Sequence, residues 1–403
     1  MPLELEARTG AGMELVALAE RLAEGLAERA GTHDREASYP HEGIDALRDA
    51  GYFAAPVPQH LGGLGVSSVH DVVVASGRLA RGDASVAIGV NMHLVVVLNI
   101  LRRWQMARAI GHERRERALA ASLREIAAGE VVLAVALSEP GQDLTRPATV
   151  ATPTVDGWRV DGHKIFCTMS PAATILLTSV RFRREDGVER YGYAEIPADT
   201  PGVRINDDWD AMGMRASGSH SVTFEGVELP AAALRGGFPT GDPVPYLERN
   251  LASGLFHASA SLGIAEAAFA RVARPDRVGD DARARMLVAE SAIDLASSRA
   301  LLARAAALID EHHAANPEQP GPPEDIVAVF AEGQAAKTHV NEAAGRVVDR
   351  ALALSGGAGY VNGSPLARAY RDVRAGAFMH PLGANRAYAF LGDVALGREH
   401  ALA

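Results

Sequence analysis

The chain has 403 residues, 48% hydrophobic and 22% charged, the composition of a soluble globular protein long enough for two or three layered units. A formal net charge of −10 argues against a nucleic-acid or anionic-membrane surface, since either needs a basic excess. The one cysteine, Cys167, excludes an internal disulfide and suits a reducing cytosol, so a cytoplasmic location is expected. The opening MPLELEARTGAG lacks the basic-then-apolar order of a signal peptide.

In chain order, the first elements are helical. Leu15, Ala19, Leu22 and Leu26 recur on one helical face. HEGIDALRDAGYFAAPVP follows as a helix that Gly51 stops. The stretch from SSVHDVVV to LNILRRW predicts two more, the second apolar enough to be buried. Its apolar run is interrupted at Arg102 and reads as too short to span a bilayer. QMARAIGHERRERALAASLREIAAG completes the block near Gly129.

The texture then changes. VVLAVALSEP is a β-branched run closed by a proline. TVDGWRVDGHKIFCT alternates and carries two hairpin signals, Asp156-Gly157 and Asp161-Gly162. ATILLTSVRFR, RYGYAEIP and HSVTFEGVELP add three strands, so a small barrel or sandwich is expected. From PVPYLERNL onward the chain is helical again, with one long helix, a proline-rich break at NPEQPGPPED, and another from Ile326 to about Leu354. After the turn SGGAGY, a last helix runs past Pro381. The expected class is α+β, mostly α: a helical domain at 1–130, a β domain at 131–238, and a four-helix bundle at 239–403.

Common catalytic signatures are missing. His312 and His313 are adjacent on a helix and do not share a face, so no metal site is expected. GxSxG, a Walker loop and a dinucleotide GxGxxG after a strand are all lacking. In SGGAGY, Gly356 and Gly357 read either as a plain turn or as a place where backbone approaches an anionic or planar ligand.

Five motifs in order carry a resemblance: YPHEGIDALRDAGYFAAPVPQHLGGLG, ALSEPGQDL, DGHKIFCT, DAMGMRASGSHSVTFEGVELP and GGAGYVNGSPLARAYRD. Over nearly its whole length the chain resembles the acyl-CoA dehydrogenase superfamily of flavoproteins. That resemblance implies a helical domain, a β domain and a four-helix bundle around a flavin, either FMN or FAD. It places Phe166 and Thr168 beside the flavin ring, with the Thr168 hydroxyl near N5, and Leu137 and Ser138 at the pyrimidine edge. Gly356 and Gly357 would approach the cofactor of a neighbouring subunit, in a homodimer or homotetramer.

Departures from the family pattern are informative. GQD follows SEP directly, so a serine that holds the flavin pyrophosphate is lost. RVARPDRVGDDAR stands where R-x-x-F-G would grip a partner's FAD, and Ala353 replaces a glutamine before the glycine turn. These losses point to FMN, or to reduced flavin held loosely as a co-substrate and supplied by a flavin reductase. His380 lies eight residues after Asp372, the position of the proton-abstracting glutamate in many relatives. Flavin monooxygenases of the same fold often carry a histidine there and another on an N-terminal helix, a role His93 could fill. Glu248, in YLERNL, is the alternative base, with Arg249 beside it as a substrate contact.

The expected activity is therefore a monooxygenase that uses reduced flavin and O2 to hydroxylate an aromatic or heterocyclic small molecule. The alternative is acyl-CoA dehydrogenase-like α,β-desaturation with Glu248 or His380 as base. A flavin-free scaffold is the third reading. No nucleic-acid or membrane partner is expected.

Overall fold

The computed structural model describes residues 4–141, 143–399 and 402, so Gln142 of the GQD departure lies outside the described residues. Five helices come first: α1 (Gly10–Glu36), α2 (His41–Asp49), α3 (Val69–Ala80), α4 (Ala84–Ala109) and α5 (Glu113–Ala127). Short polar side chains start three of them. Thr9 and Ser68 accept backbone N–H groups at the heads of α1 and α3, and Asp83 does so for α4. Gly51, at φ 75°, ends the second helix as expected. Leu15, Ala19 and Leu26 form the buried face of α1. By length and composition α4 could cross a bilayer, more than its interrupted apolar run suggested, but 89% of that window is buried inside the fold.

Eight strands follow: β1 (Leu133–Ala136), β2 (Val150–Pro153), β3 (Gly157–Cys167), β4 (Ile175–Arg183), β5 (Glu189–Pro197), β6 (Val203–Ile205), β7 (His220–Pro230) and β8 (Leu234–Pro239). They form one sheet in the order β6-β7-β3-β2-β4-β5-β8, with β1 alongside β4. The expected barrel or sandwich is thus a single sheet with its own apolar cluster, built on Val160, Leu176, Val180, Phe182, Val222 and Phe224. Asp156-Gly157 does turn a hairpin between β2 and β3. Asp161-Gly162 does not. It sits inside β3 at a register shift against β7, where an added Cβ on Gly162 would clash with Thr149. Asp161 there accepts the Gly226 N–H at 2.7 Å. The dipeptide marks a bulge, the other use of glycine in a strand.

The remaining elements are α6 (Val244–Arg249), α7 (Ser253–Val272), α8 (Pro275–Val278), α9 (Ala282–Ala315), α10 (Pro323–Ser355), α11 (Gly357–Tyr360), α12 (Pro365–Asp372) and α13 (Ala384–Ala395). α10 packs against α7, α9 and α13 in the expected bundle. α9 spans about 50 Å at ~1.5 Å per residue.

The first and last helical segments share one apolar core, in which α3 and α4 pack on α7. Buried polar contacts fix how they meet. Ser76 bonds Asn91 and Ser259, and Asn91 donates to the Phe256 carbonyl at 3.0 Å. Glu266 of α7 takes Arg81 of α3's end on one side and Arg299 of α9 on the other. Asp310 of α9 accepts Val69 N–H and Ser68 Oγ–H, which places a carboxylate at the positive head of α3.

Candidate active site

A cavity of about 290 Å³ opens where α4, the β domain and the end of the bundle converge. Ile88 and Met92 of α4 form one wall, and Leu137 and Ser138 after β1 form another. Phe166 and Thr168 enter from the end of β3, and His380 from the segment after α12. Four expected cofactor contacts, Leu137, Ser138, Phe166 and Thr168, are thereby brought to one space with His380.

A buried ion pair builds the β-domain wall. Lys164 Nζ lies 2.6 Å from Glu139 Oε1, with both side chains almost fully buried. Glu139 also accepts the Ala148 and Thr149 N–H groups, and Lys164 reaches Ser179 Oγ at 3.1 Å. Burial alone would raise the Glu139 pKa, but Lys164 and these hydrogen bonds hold it below the usual carboxylate range. The pair fastens the loop carrying Ser138 to β3, and Ile165 N–H donates to the Ser138 carbonyl at 2.9 Å. Sequence reasoning took SEP and HKIF as flavin-contacting motifs and missed that Glu139 and Lys164 act as their brace.

Beyond Lys164 the β3 register shifts, and Phe166 takes φ 56°. A left-handed phenylalanine that stays 58% exposed is costly unless the site uses it. Its ring meets the Trp209 ring edge-on at 6.0 Å, leaving an aromatic face toward the cavity. Thr168 Oγ1 lies 2.9 Å from Ser219 Oγ, which is 2.7 Å from Ser217 Oγ. Only Thr168 of this hydroxyl chain was foreseen. The signal for the others was the serine cluster in ASGSHS.

His380 is half-buried. Its Nε2 lies 3.2 Å from Tyr246 Oη and 3.1 Å from Asn250 Oδ1. The Tyr246 hydroxyl donates to the Pro381 carbonyl, and Asn250 Oδ1 already accepts from Ser253 Oγ. Both neighbours are therefore acceptors toward His380, so Nε2 carries the proton and Nδ1 carries the lone pair. Burial, with the Lys337 ammonium nearby, pushes the imidazole pKa down to about 3, so the ring is neutral at pH 7. Lys337 of α10 donates to the carbonyls of Met379, His380 and Leu382, which fixes the segment that presents the imidazole. Burial pushes the Lys337 pKa down to about 7.

Asp372, which served only as a spacing marker in the sequence, accepts the Met214 N–H at 2.7 Å. It thereby ties the Met212–Met214 edge of the cavity to α12. At Gly213 a side chain would strike the Arg371 carbonyl, and Arg371 itself holds Asp34 through both guanidinium nitrogens. Burial raises the Asp372 pKa to about 7, with Asp83 and Asp34 adding to the rise. The unfolded chain ionises this carboxyl first, so its contribution to stability falls as pH rises from about 4 to about 7. Asp372→Asn keeps an acceptor for Met214 and removes the ionisation. Urea denaturation at several pH values is expected to show the variant gaining on the wild type across that window, with the two parallel below it.

Five expected site residues lie elsewhere. His93 is fully buried, accepts the Leu133 N–H on Nδ1 at 3.0 Å and faces the Phe53 carbonyl with Nε2 at 3.1 Å. A carbonyl only accepts, so Nε2 is protonated and both nitrogens are committed to backbone. His93 is a neutral pin between α4 and β1, and burial pushes its pKa down to about 3. Glu248 stands near Arg102 and Arg103, outside the cavity lining. Arg249 lies over the Tyr193 ring at 4.0 Å and is buried, so it too is outside the cavity. The helix break at 250–252 turns this pair toward α4 and β5. Gly356 and Gly357 are exposed at the end of α10, and a Cβ on either would meet nothing within 4 Å.

An apolar, aromatic-walled space with a hydroxyl chain on one edge and a neutral imidazole on another suits a planar heteroaromatic ring. The exposed Phe166 and its Trp209 neighbour fit a flavin at this position.

Comparison with known proteins agrees. Profiles of the N-terminal, middle and C-terminal domains of acyl-CoA dehydrogenases match residues 14–105, 134–227 and 251–385. The chain is 37% identical to the amino sugar nitrososynthase DnmZ of Streptomyces peucetius, covering 98% of this chain and 95% of that protein. The crystal structure of KijD3 with FMN and dTDP-3-amino-2,3,6-trideoxy-4-keto-3-methyl-D-glucose is 32% identical, with a TM-score of 0.89 and 98% and 96% of the two chains covered. The nitrososynthase structure from Micromonospora carbonacea var. africana is 32% identical at a TM-score of 0.87, covering 97% and 98%. With three domain profiles in order and full-length likeness to nitrososynthases, this chain belongs to the acyl-CoA dehydrogenase family, as a flavin-dependent oxidoreductase of its monooxygenase-like branch.

Proposed function

We propose that the protein oxygenates the primary amine of a nucleotide-linked amino sugar, using reduced FMN and O2. The carrying observation is the cavity lining, which holds His380 and leaves out Glu248. A neutral imidazole with a pKa near 3 is too weak a base to draw a proton from the α-carbon of a thioester, because such a base works best when its pKa is near the operating pH. Glu248, the other expected base, is not in the cavity lining. The same imidazole suits an amine, whose N–H groups need an acceptor and whose nitrogen must stay unprotonated to react. Likeness to the amino sugar nitrososynthases supplies the substrate class.

Bound reduced flavin supplies two electrons, so that R–NH2, O2 and the reduced cofactor give R–NHOH, water and oxidised flavin. The protein's own groups do the rest. Phe166 and Trp209 would flank a bound flavin ring, Ser138 and Thr168 would offer it hydroxyls, and Ile88 and Met92 give the cavity an apolar wall. The His380 Nδ1 lone pair accepts an amine N–H and so orients the amine, and the proton that nitrogen releases ends in the water formed. A low-dielectric pocket with the Lys337 charge near it disfavours an ammonium, which favours the reactive amine.

FMN is the preferred flavin, because Arg274, where a diphosphate grip would lie, is paired with Asp276 on the surface. A separate reductase supplies the reduced cofactor, and the setting is cytoplasmic. The assembly is a homodimer or homotetramer. Exposed Met286 and Ile293, two turns apart on α9, with Tyr360 and Val361 beside Gly356 and Gly357, offer apolar surface for it.

The test is turnover with a dTDP-linked 3-amino-deoxysugar, FMN, a flavin reductase and air, read by mass spectrometry. A gain of one or more oxygen atoms that needs O2 is expected. Bleaching of bound flavin by an acyl-CoA without oxygen would overturn the reading in favour of a dehydrogenase. The apolar walls also support a second reading, an aromatic or heterocyclic substrate, and oxygenation of indole but not of the amino sugar would select it.

A further inference from the structure

α7 brings a second imidazole to the cavity that no motif announced. His257 is 5% exposed, lines the cavity, and has no hydrogen-bond partner on either ring nitrogen among the described residues. It stands three residues after Gly254, on the same helical face. A Cβ on Gly254 would meet Gln334, Lys337 and Pro381, so His257 belongs to the face of α7 that looks on α10 and the His380 segment. Gln334 also has both amide atoms unpaired but is not in the cavity lining. Burial, with Lys337 and His380 nearby, holds the His257 pKa well below its ordinary value, so its ring is neutral. A neutral imidazole has one N–H and one lone pair, and burying both without partners is unfavourable.

Resting on the amine-oxygenase reading, we propose that His257 is a positioning residue for the substrate amine: its ring lone pair accepts one N–H while the Nδ1 of His380 accepts the other. A primary amine has two N–H groups and one lone pair. Two acceptors on two walls fix the N–H directions and leave the nitrogen lone pair aimed away from both imidazoles, free to react. The remaining His257 N–H serves an oxygen of the same ligand. A hydroxyl in place of the amine has a single proton and cannot satisfy both acceptors, so the pair selects for nitrogen.

The test is calorimetric binding, in the presence of FMN, of a dTDP-linked 3-amino-deoxysugar, its 3-hydroxy counterpart and dTDP alone. For His257→Phe, affinity for the amino sugar is expected to fall by about tenfold or more. Affinities for dTDP and FMN should stay at wild-type values, and the hydroxy sugar should lose less than the amino sugar does. His257→Gln keeps a donor and an acceptor and should recover part of the loss. It also carries the test if the phenylalanine variant does not fold. Equal losses for all ligands, or none, would overturn the inference while leaving the oxygenase reading intact. A wild type that binds the amino sugar no better than dTDP overturns both.

Discussion

Replacing His380 with alanine is expected to lower kcat by about a hundredfold, the cost of a reactant held out of its productive orientation. FMN affinity should hold, because the proposed flavin contacts, Phe166, Thr168 and Ser138, come from the β domain and not from the 373–382 segment. His380→Gln preserves a hydrogen-bond acceptor, so it should bind substrate better than alanine does and recover part of the turnover. Glu248→Ala is the control. Glu248 lies near Arg102 and Arg103 and outside the cavity lining, so turnover is expected to be near that of the wild type. A larger loss from Glu248→Ala than from His380→Ala, measured by single-turnover flavin kinetics, would reverse the role assignment.

Lys164→Ala is expected to destabilise the protein by about 3–5 kcal/mol, because it strands the Glu139 carboxylate without its counter-ion. Glu139→Ala should cost a similar amount from the other side. It strands Lys164 and leaves the Ala148 and Thr149 N–H groups unpaired. Replacing both by Met and Leu restores a neutral interior and should recover most of the stability. The double variant should still bind flavin poorly, since Ser138 loses the brace that sets it against β3. Thermal unfolding and FMN fluorescence titration on the same three proteins separate the two effects. If the double variant binds FMN as the wild type does, the pair only stabilises the β domain.

How far the sequence speaks depends on how local the signal is. Helices with regular apolar spacing, such as Leu15 to Leu26, could be read because their burial repeats every turn. Asp156-Gly157 and Asp161-Gly162 look alike in sequence, and only the packing of Thr149 and β7 separates a turn from a bulge. His380 could be found because it keeps a fixed distance from Asp372 in a recognisable motif. His93 and His257 could not be told apart, since each sits in an apolar helix. What distinguishes them is what faces the ring: two backbone groups for His93, an open cavity for His257. Glu139 and Lys164 are 25 residues apart, and only the strand pairing of the folded domain makes them neighbours.

The core shared by α3, α4 and α7 has a consequence for how the chain is made. α4 is complete at residue 109, but the helix that covers it ends at residue 272. At ~5–20 residues per second a ribosome takes on the order of ten to thirty seconds to cross that gap. Throughout that interval the nascent chain presents a helix as apolar as a membrane span, covered by α3 and α5 but not yet by α7. Slowing translation between the β domain and α7 is expected to lengthen the period in which aggregation competes with folding.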